Sequence, residues 1–312
     1  MSGLLTADKT YFFAEPRLTA SYQLPKNWFL KASYARSNQF VHLLTNTGSG
    51  LSTDLWIPAT NRVPPQQAHQ IAIGLTKSFP KAGLNLTIES YRKWLRNIVA
   101  YKEGAAFLVF SSGAKPLQWE DNVTTGRGWA YGTELLLQKP RGRLTCWLGY
   151  TLSWTIHQFD ELNNGKRFYP RYDRRHDFSA VLSYKLSPKI TLSANWVYAT
   201  GNALTVPQGF YFGAQSLGGF NFNSPGGQID YLGSRNSFRA EAYHRLDVAI
   251  QFHKQKRWGE RTWEVGFYNA YSRQNPLYYY LKTENSPEGP RTTLGKRALF
   301  PIIPSVTYSF KF

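Results

Sequence analysis

Val306-Thr307-Tyr308-Ser309-Phe310-Lys311-Phe312 closes the chain, and its alternation decides the fold. Successive side chains of an extended backbone point to opposite faces. Val306, Tyr308, Phe310 and Phe312 therefore share one face, and Thr307, Ser309 and Lys311 share the other. One face suits an apolar surrounding and the other suits water. The same two-residue period runs upstream through almost the whole sequence, and no long amphipathic helix interrupts it.

Eleven strands are predicted on this period. The first spans about 13–24, with Leu18, Ala20, Tyr22 and Leu24 aligned; the second, about 28–43, aligns Trp28, Leu30, Ala32 and Tyr34. The third, about 69–79, carries Ile71, Ile73 and Leu75, and the fourth carries Leu84, Leu86 and Ile88. The fifth, about 129–139, carries Tyr131, Thr133, Leu135 and Leu137, and the sixth carries Leu144, Cys146, Leu148 and Tyr150. Phe178 to Leu186 and Ile190 to Tyr198 form the seventh and eighth. Leu246 to Phe252, Trp263 to Phe267 and the terminal segment complete the set.

The connections alternate in length. Short ones fall at 25–27, 80–83, 140–142, 187–189 and about 254–260; long ones fall at about 45–68, 102–128, 160–177, 201–241 and 275–297. Short turns at one end and long loops at the other describe an all-β, transmembrane antiparallel β-barrel, with periplasmic turns and extracellular loops. A sandwich has no reason to sort its loops this way. On this reading the first and last strands both run toward the periplasm, so the strand count is odd, whereas complete bacterial barrels have an even count. The expectation is therefore the carboxyl-terminal portion of a larger barrel, since open strand edges in lipid leave backbone groups unpaired.

Composition fits. Aromatic residues make up 16% of the chain, yet the mean hydropathy is −0.42. No apolar run approaches the roughly 18 residues of a membrane helix, whereas barrel strands average out as polar because alternate residues face the lumen. Cys146 is the one cysteine, so no internal disulfide is possible. Met1-Ser2-Gly3-Leu4-Leu5-Thr6-Ala7-Asp8 lacks the basic start and apolar core of a signal peptide. The net charge of +18 is scattered along strands and loops. Lumen lining and lipopolysaccharide contact at the rim account for it better than nucleic acid, for which no basic helix or zinc-finger spacing is present.

With these features the chain resembles the carboxyl-terminal half of a TonB-dependent outer-membrane receptor. Phe13-Ala14-Glu15-Pro16-Arg17-Leu18 opens a strand after a loop as in that family. Tyr169-Pro170-Arg171-Tyr172-Asp173-Arg174-Arg175-His176-Asp177 resembles its loop-to-strand junction. Asn269 to Pro276 with the run Leu277-Tyr278-Tyr279-Tyr280 resembles its penultimate strand, and Phe312 its terminal residue. The resemblance covers essentially the whole chain. It implies the last eleven of about 22 strands, with the amino-terminal plug and first barrel half absent. It also implies uptake of a scarce nutrient, a siderophore-like chelate or a glycan, driven by the TonB complex through that missing part. The outer-membrane assembly machinery would read Val306, Tyr308, Phe310 and Phe312.

Candidate ligand-binding residues lie at the long loops: Trp56, Tyr211, Phe212, Phe220 and Phe222 as aromatic grips, and Arg174 and His176 as polar ones. The competing reading of each aromatic is girdle or loop packing. Asp173 is expected to hold the neighbouring arginines at the outer rim. The six histidines show no ligand spacing, so no metal or cofactor is expected. No Gly-x-Ser-x-Gly turn, His-Glu-x-x-His or phosphate loop is present, so no catalytic residue is assigned. A passive pore or surface-binding barrel, and a soluble polyanion-binding β-protein, remain the competing functions.

Overall fold

Tight turns set the register. Pro25, Lys26 and Asn27 turn the chain with Lys26 and Asn27 at φ 59° and 60°, a left-handed pair that sends the strand straight back. A computed structural model describes residues 10–45, 54–103, 119–212, 228–286 and 289–312. It shows one 11-stranded antiparallel sheet whose neighbours are consecutive in sequence. We number its strands β1 (Arg17–Leu24), β2 (Trp28–Gln39), β3 (Gln66–Phe79), β4 (Leu84–Tyr101), β5 (Val123–Lys139) and β6 (Leu144–Gln158). They continue as β7 (His176–Ser187), β8 (Ile190–Ala199), β9 (Tyr243–Lys256), β10 (Gly259–Tyr268) and β11 (Ile303–Lys311). All eleven expected strands are present, and the short and long connections fall at alternate ends. Within this chain β1 and β11 each pair on one side only, so the sheet is open.

The pairing puts apolar residues into continuous rows on one face. Leu30, Leu75, Ile88 and Leu135 are successive cross-strand partners, and so are Leu182, Ala194, Val248 and Phe267. On the opposite face stand Lys31, Gly74, Glu89 and Glu134, also successive partners. A one-residue slip at any strand would exchange the two faces, so the pattern itself holds the register. Many large apolar side chains of the first face are exposed, as a lipid-facing belt must be: Ile73 is 56% accessible and Val306 66%. Aromatic residues bracket the belt. Trp28, Phe79, Phe252, Trp263 and Tyr308 lie toward the short turns; Tyr34, Trp94, Trp129, Tyr131 and Trp154 lie toward the long loops. Among the described residues no helix is long and apolar enough to cross a membrane.

β4 reaches Tyr101, as the expected loop bounds require, and β5 begins at Val123 rather than about 129, so both stand well above the belt. Near the top of β4 the register shifts between Arg96 and Ile98, and Asn97 takes φ 56°. This bulge turns Ile98 inward, onto Leu95, Phe159, Leu162 and Phe168. A second cluster joins Leu44, Ile57, Val63 and Val123. The buried apolar residues of the chain thus lie mainly at the loops, because the sheet's own apolar face is turned to lipid.

The loops carry structure that alternation alone did not suggest. Val41–Thr45 pairs with Asp54–Pro58, Pro207–Phe212 with Gln228–Leu232, and Tyr278–Ser286 with Gly289–Arg297. The last pair corrects the placement of the aromatic run: Tyr278, Tyr279 and Tyr280 belong to a loop hairpin, and the penultimate strand is β10. β11 begins at Ile303 rather than Val306, tolerating Pro304 because its far side makes no ladder bonds within this chain.

Candidate functional site

The described parts of the long loops are tied each to the next. Arg62 of the loop after β2 pairs with Glu120, at 3.4 Å, and with Asp121, both in the loop after β4. Thr60 Oγ1 donates to Glu120 Oε1 as well. The loop after β4 reaches the loop after β6 through Lys102 and Glu161, 3.4 Å apart, and through Asn163 N–H, which donates to Glu103 Oε1 at 2.8 Å.

Asp173 fastens the next junction. Its side chain is fully buried. It accepts Thr155 N–H at 2.8 Å and Arg239 Nη2 at 2.7 Å, and Arg175 Nη2 lies 3.6 Å away. Arg175 also lies over the rings of Trp154 and Tyr169, at 4.7 and 5.1 Å, and donates to Ser153 O at 3.0 Å. A buried carboxylate needs such company, since an unpaired charge away from water is very costly. Asn236 adds a second clasp: its Nδ2 donates to Tyr169 O at 2.8 Å, and its Oδ1 accepts from Thr205 Oγ1 at 3.1 Å. The expectation that Asp173 holds the neighbouring arginines is met for Arg175, while Arg174 turns to Asp177; Arg239 joins from 66 residues away.

Glu241 makes the last junction. Lys296 Nζ lies 2.6 Å and Arg273 Nη2 3.3 Å from its Oε2, and its N–H donates to Tyr279 Oη at 3.0 Å. The hydrogen bond from Lys296 holds the Glu241 carboxyl below the usual carboxylate range. A small cleft of about 80 Å³ opens here, lined in part by Arg171, Arg174, Glu241, Tyr243 and Tyr279.

The expected site residues separate. Arg174 lines this cleft and lies 3.5 Å from Asp177. His176 stands on the other face of β7 from Asp177, where its Nδ1 lies 2.9 Å from Tyr150 Oη. Trp56 is 64% exposed on the first loop hairpin, opposite Leu43. Tyr211 and Phe212 fall in the backbone of the second hairpin, and Phe220 and Phe222 lie outside the described residues. Val306, Tyr308 and Phe310 share the lipid-side face of β11, with Phe312 just beyond it. Among the described residues no group of three or more metal-ligating side chains occurs.

Sequence reasoning missed Arg239, Glu241, Arg273 and Lys296. One signal was available: with 19 acidic residues against 37 basic ones, a loop carboxylate such as Asp173 or Glu241 is a place where more than one cation can converge.

The model of the TonB dependent receptor-like β-barrel family matches residues 3–270. The chain belongs to this family. Barrels of the TonB-dependent receptors are outer-membrane proteins built of many antiparallel strands, in agreement with the belt, the girdles and the sorted loops. This receptor chain is similar in fold to the ferric-catecholate import receptor Fiu from E. coli, with 17% identity and TM-score 0.52 over 94% of this chain and 34% of that one. It is similar to the pyoverdine outer membrane receptor FpvA from Pseudomonas aeruginosa, with 13% identity and TM-score 0.55 over 96% and 36%. For the ferric yersiniabactin uptake receptor FyuA from Yersinia pestis the values are 13% and 0.53 over 95% and 37%. The chain therefore spans about a third of the length of these receptors. No curated protein matches it.

Proposed function

We propose that this chain supplies eleven strands, forming the carboxyl-terminal wall, and five long loops of an outer-membrane receptor that captures an anionic nutrient chelate from outside the cell. The observation that carries the reading is the linked loop crown, whose cleft brings Arg171 and Arg174 together with Tyr243 and Tyr278 above a barrel wall of the TonB-dependent type. Guanidinium and phenol groups on fixed loops attract and orient anions. The solved receptors of similar fold are described as an import receptor for ferric catecholate, a pyoverdine receptor bound to pyoverdine, and an uptake receptor for ferric yersiniabactin. A ferric siderophore is therefore the favoured cargo over a glycan. Arg174, Trp56, Tyr211, Phe212, Phe220 and Phe222 remain the loop candidates, whereas His176 stands on the outward face of β7 beside Tyr150.

In the whole receptor, ligand capture by the loops would be coupled to the TonB complex through a plug supplied by other parts of the polypeptide, and the reading assigns no enzymatic step. The assembly machinery would read the β11 face ending in Phe310 and Phe312. The test is uptake of iron-55 from a panel of ferric siderophores in iron-starved cells of the native host, with and without the gene. Selective loss of one siderophore, restored by the wild-type gene and at least tenfold weaker with Arg174→Ala, is the expected result. Unchanged uptake of every siderophore in the deletion strain overturns the cargo class.

A further inference from the structure

We propose that the outward wall of β4 and β5, just above the aromatic girdle, is a binding site for the phosphate groups of an outer-leaflet glycolipid. The inference rests on the outer-membrane reading of the barrel and names a partner for its outside, away from the ligand loops.

The site follows from the register. Arg96 stands directly opposite Arg127, Trp94 opposite Trp129, and Arg92 opposite Tyr131. All six share the face that carries Ile88 and Leu135, because each lies an even number of residues from one of them. Height follows from strand geometry: about ten residues of a strand tilted near 40° cross a belt of about 25 Å. Counted up from Leu84 at the periplasmic turn, the belt ends near Arg92. Arg92, Arg96 and Arg127 thus emerge where hydrocarbon gives way to headgroups.

The cations are arranged for an anion that the described residues do not supply. Like charges directly opposite one another on a sheet destabilise the pair. Yet none of Arg92, Arg96, Arg127 and Arg167 has a carboxylate within 4.0 Å among the described residues. Two are held by rings. Arg92 lies 5.1 Å from the centre of Trp94, and Arg167 drapes over Trp129 at 4.9 Å. A guanidinium resting on an indole keeps its in-plane N–H groups free to grip phosphate. Between the strands a shallow recess of about 440 Å³ is lined by His69, Trp94, Arg96, Arg127, Gly128 and Trp129. His69 meets the Tyr34 hydroxyl at 2.9 Å, just as the outer-face histidines His176 and His244 meet tyrosine hydroxyls at 2.9 and 2.8 Å. The indoles of Trp94 and Trp129 suit acyl chains and sugar faces; Arg96 and Arg127, the next outward-facing pair toward the loops, suit phosphate. A lipid bearing both satisfies the recess, whereas free phosphate satisfies only its upper half.

The polypeptide carrying this chain is extracted from outer membranes in mild detergent, and its retained glycolipid is quantified by native mass spectrometry. Wild type is expected to keep phosphorylated glycolipid, and Arg96→Gln/Arg127→Gln to retain at least tenfold less. Lys77→Gln, whose ammonium lies over Trp28 and Phe79 near the periplasmic turns, is expected to retain the wild-type amount. The delipidated protein is then titrated with diphosphoryl glycolipid, the same lipid without phosphates, and inorganic phosphate. Tight binding of the first alone supports the site. Equal retention by wild type and the double variant overturns it, and so does equal binding of the phosphate-free lipid. Saturation by inorganic phosphate at the affinity of the lipid overturns the lipid assignment. If the polypeptide is absent from outer membranes altogether, the underlying membrane reading fails instead. Barrel folding of the variants is checked by the heat-dependent shift in electrophoretic mobility.

Discussion

Replacing Asp173 by Asn removes one charge from the loop crown while keeping the side chain's shape. In the native chain that carboxylate serves two guanidinium groups and one backbone amide from a fully buried position. Removing one partner of a buried ion pair costs about 3–5 kcal/mol when the other is left uncompensated. Arg175 and Arg239 keep 20% and 31% exposure, so water takes up part of their charge. The cost is then about 3 kcal/mol, on the order of a 100-fold rise in local opening. The loss is local, since the β6–β7 and β8–β9 ladders do not pass through Asp173. Hydrogen exchange of the receptor in detergent reads it directly. The Thr155, Ala203 and Asn236 amides, bonded to Asp173, Arg171 and Thr205, are expected to exchange about 100-fold faster. Amides of β10 and β11 keep their rates. Asp177→Asn, which breaks only an exposed pair with Arg174, changes the same amides less than about threefold. A rise below threefold in Asp173→Asn would show that the loops are held by their backbone contacts, and that the buried charge contributes nothing.

Three further outcomes are expected. Ile88→Arg, at the centre of the belt between Leu75 and Leu135, destabilises the folded barrel by about 2–4 kcal/mol in bilayer refolding, whereas Ser33→Arg on the other face changes it by less than about 1 kcal/mol; equal effects would mean the faces are misassigned. Gly126→Ala directs a methyl to 2.4 Å from Gln158 O and 2.6 Å from the Phe159 ring, so urea titration of the loop region is expected to show a loss of about 1–3 kcal/mol; an unchanged midpoint refutes the close approach. His42 is buried in the first loop hairpin, and burial holds its pKa below the ordinary value of 6.5. The folded hairpin therefore disfavours the proton: its stability is full above pH 6.5 and falls as pH drops toward the lowered value. Proteolysis within 41–58 should quicken between pH 7.5 and 5.5 in wild type and lose that pH dependence in His42→Leu; a pH-independent wild type removes the argument.

Alternation by itself determined the strands, their order and the two faces. A barrel wall has one residue in two facing lipid, and this requirement acts on every strand separately, so it is written locally. Leu84, Leu86 and Ile88 announce β4 without help from any neighbour. The sorted turns were legible for the same reason, because Pro140-Arg141-Gly142 turns the chain whatever lies beside it. The cluster at 173–177 showed that charges would pair, but not with what. Arg239 and Glu241 from the loop after β8, and Lys296 from the loop after β10, meet partners in neighbouring loops far along the chain, and only the pairing of the strands beneath sets those loops side by side. The Arg96–Arg127 face was equally hidden, since it exists only once β4 and β5 are paired in one register. Lipid imposes its demand one side chain at a time; the loop crown and the cationic wall depend on distances between strands, and those belong to the tertiary structure.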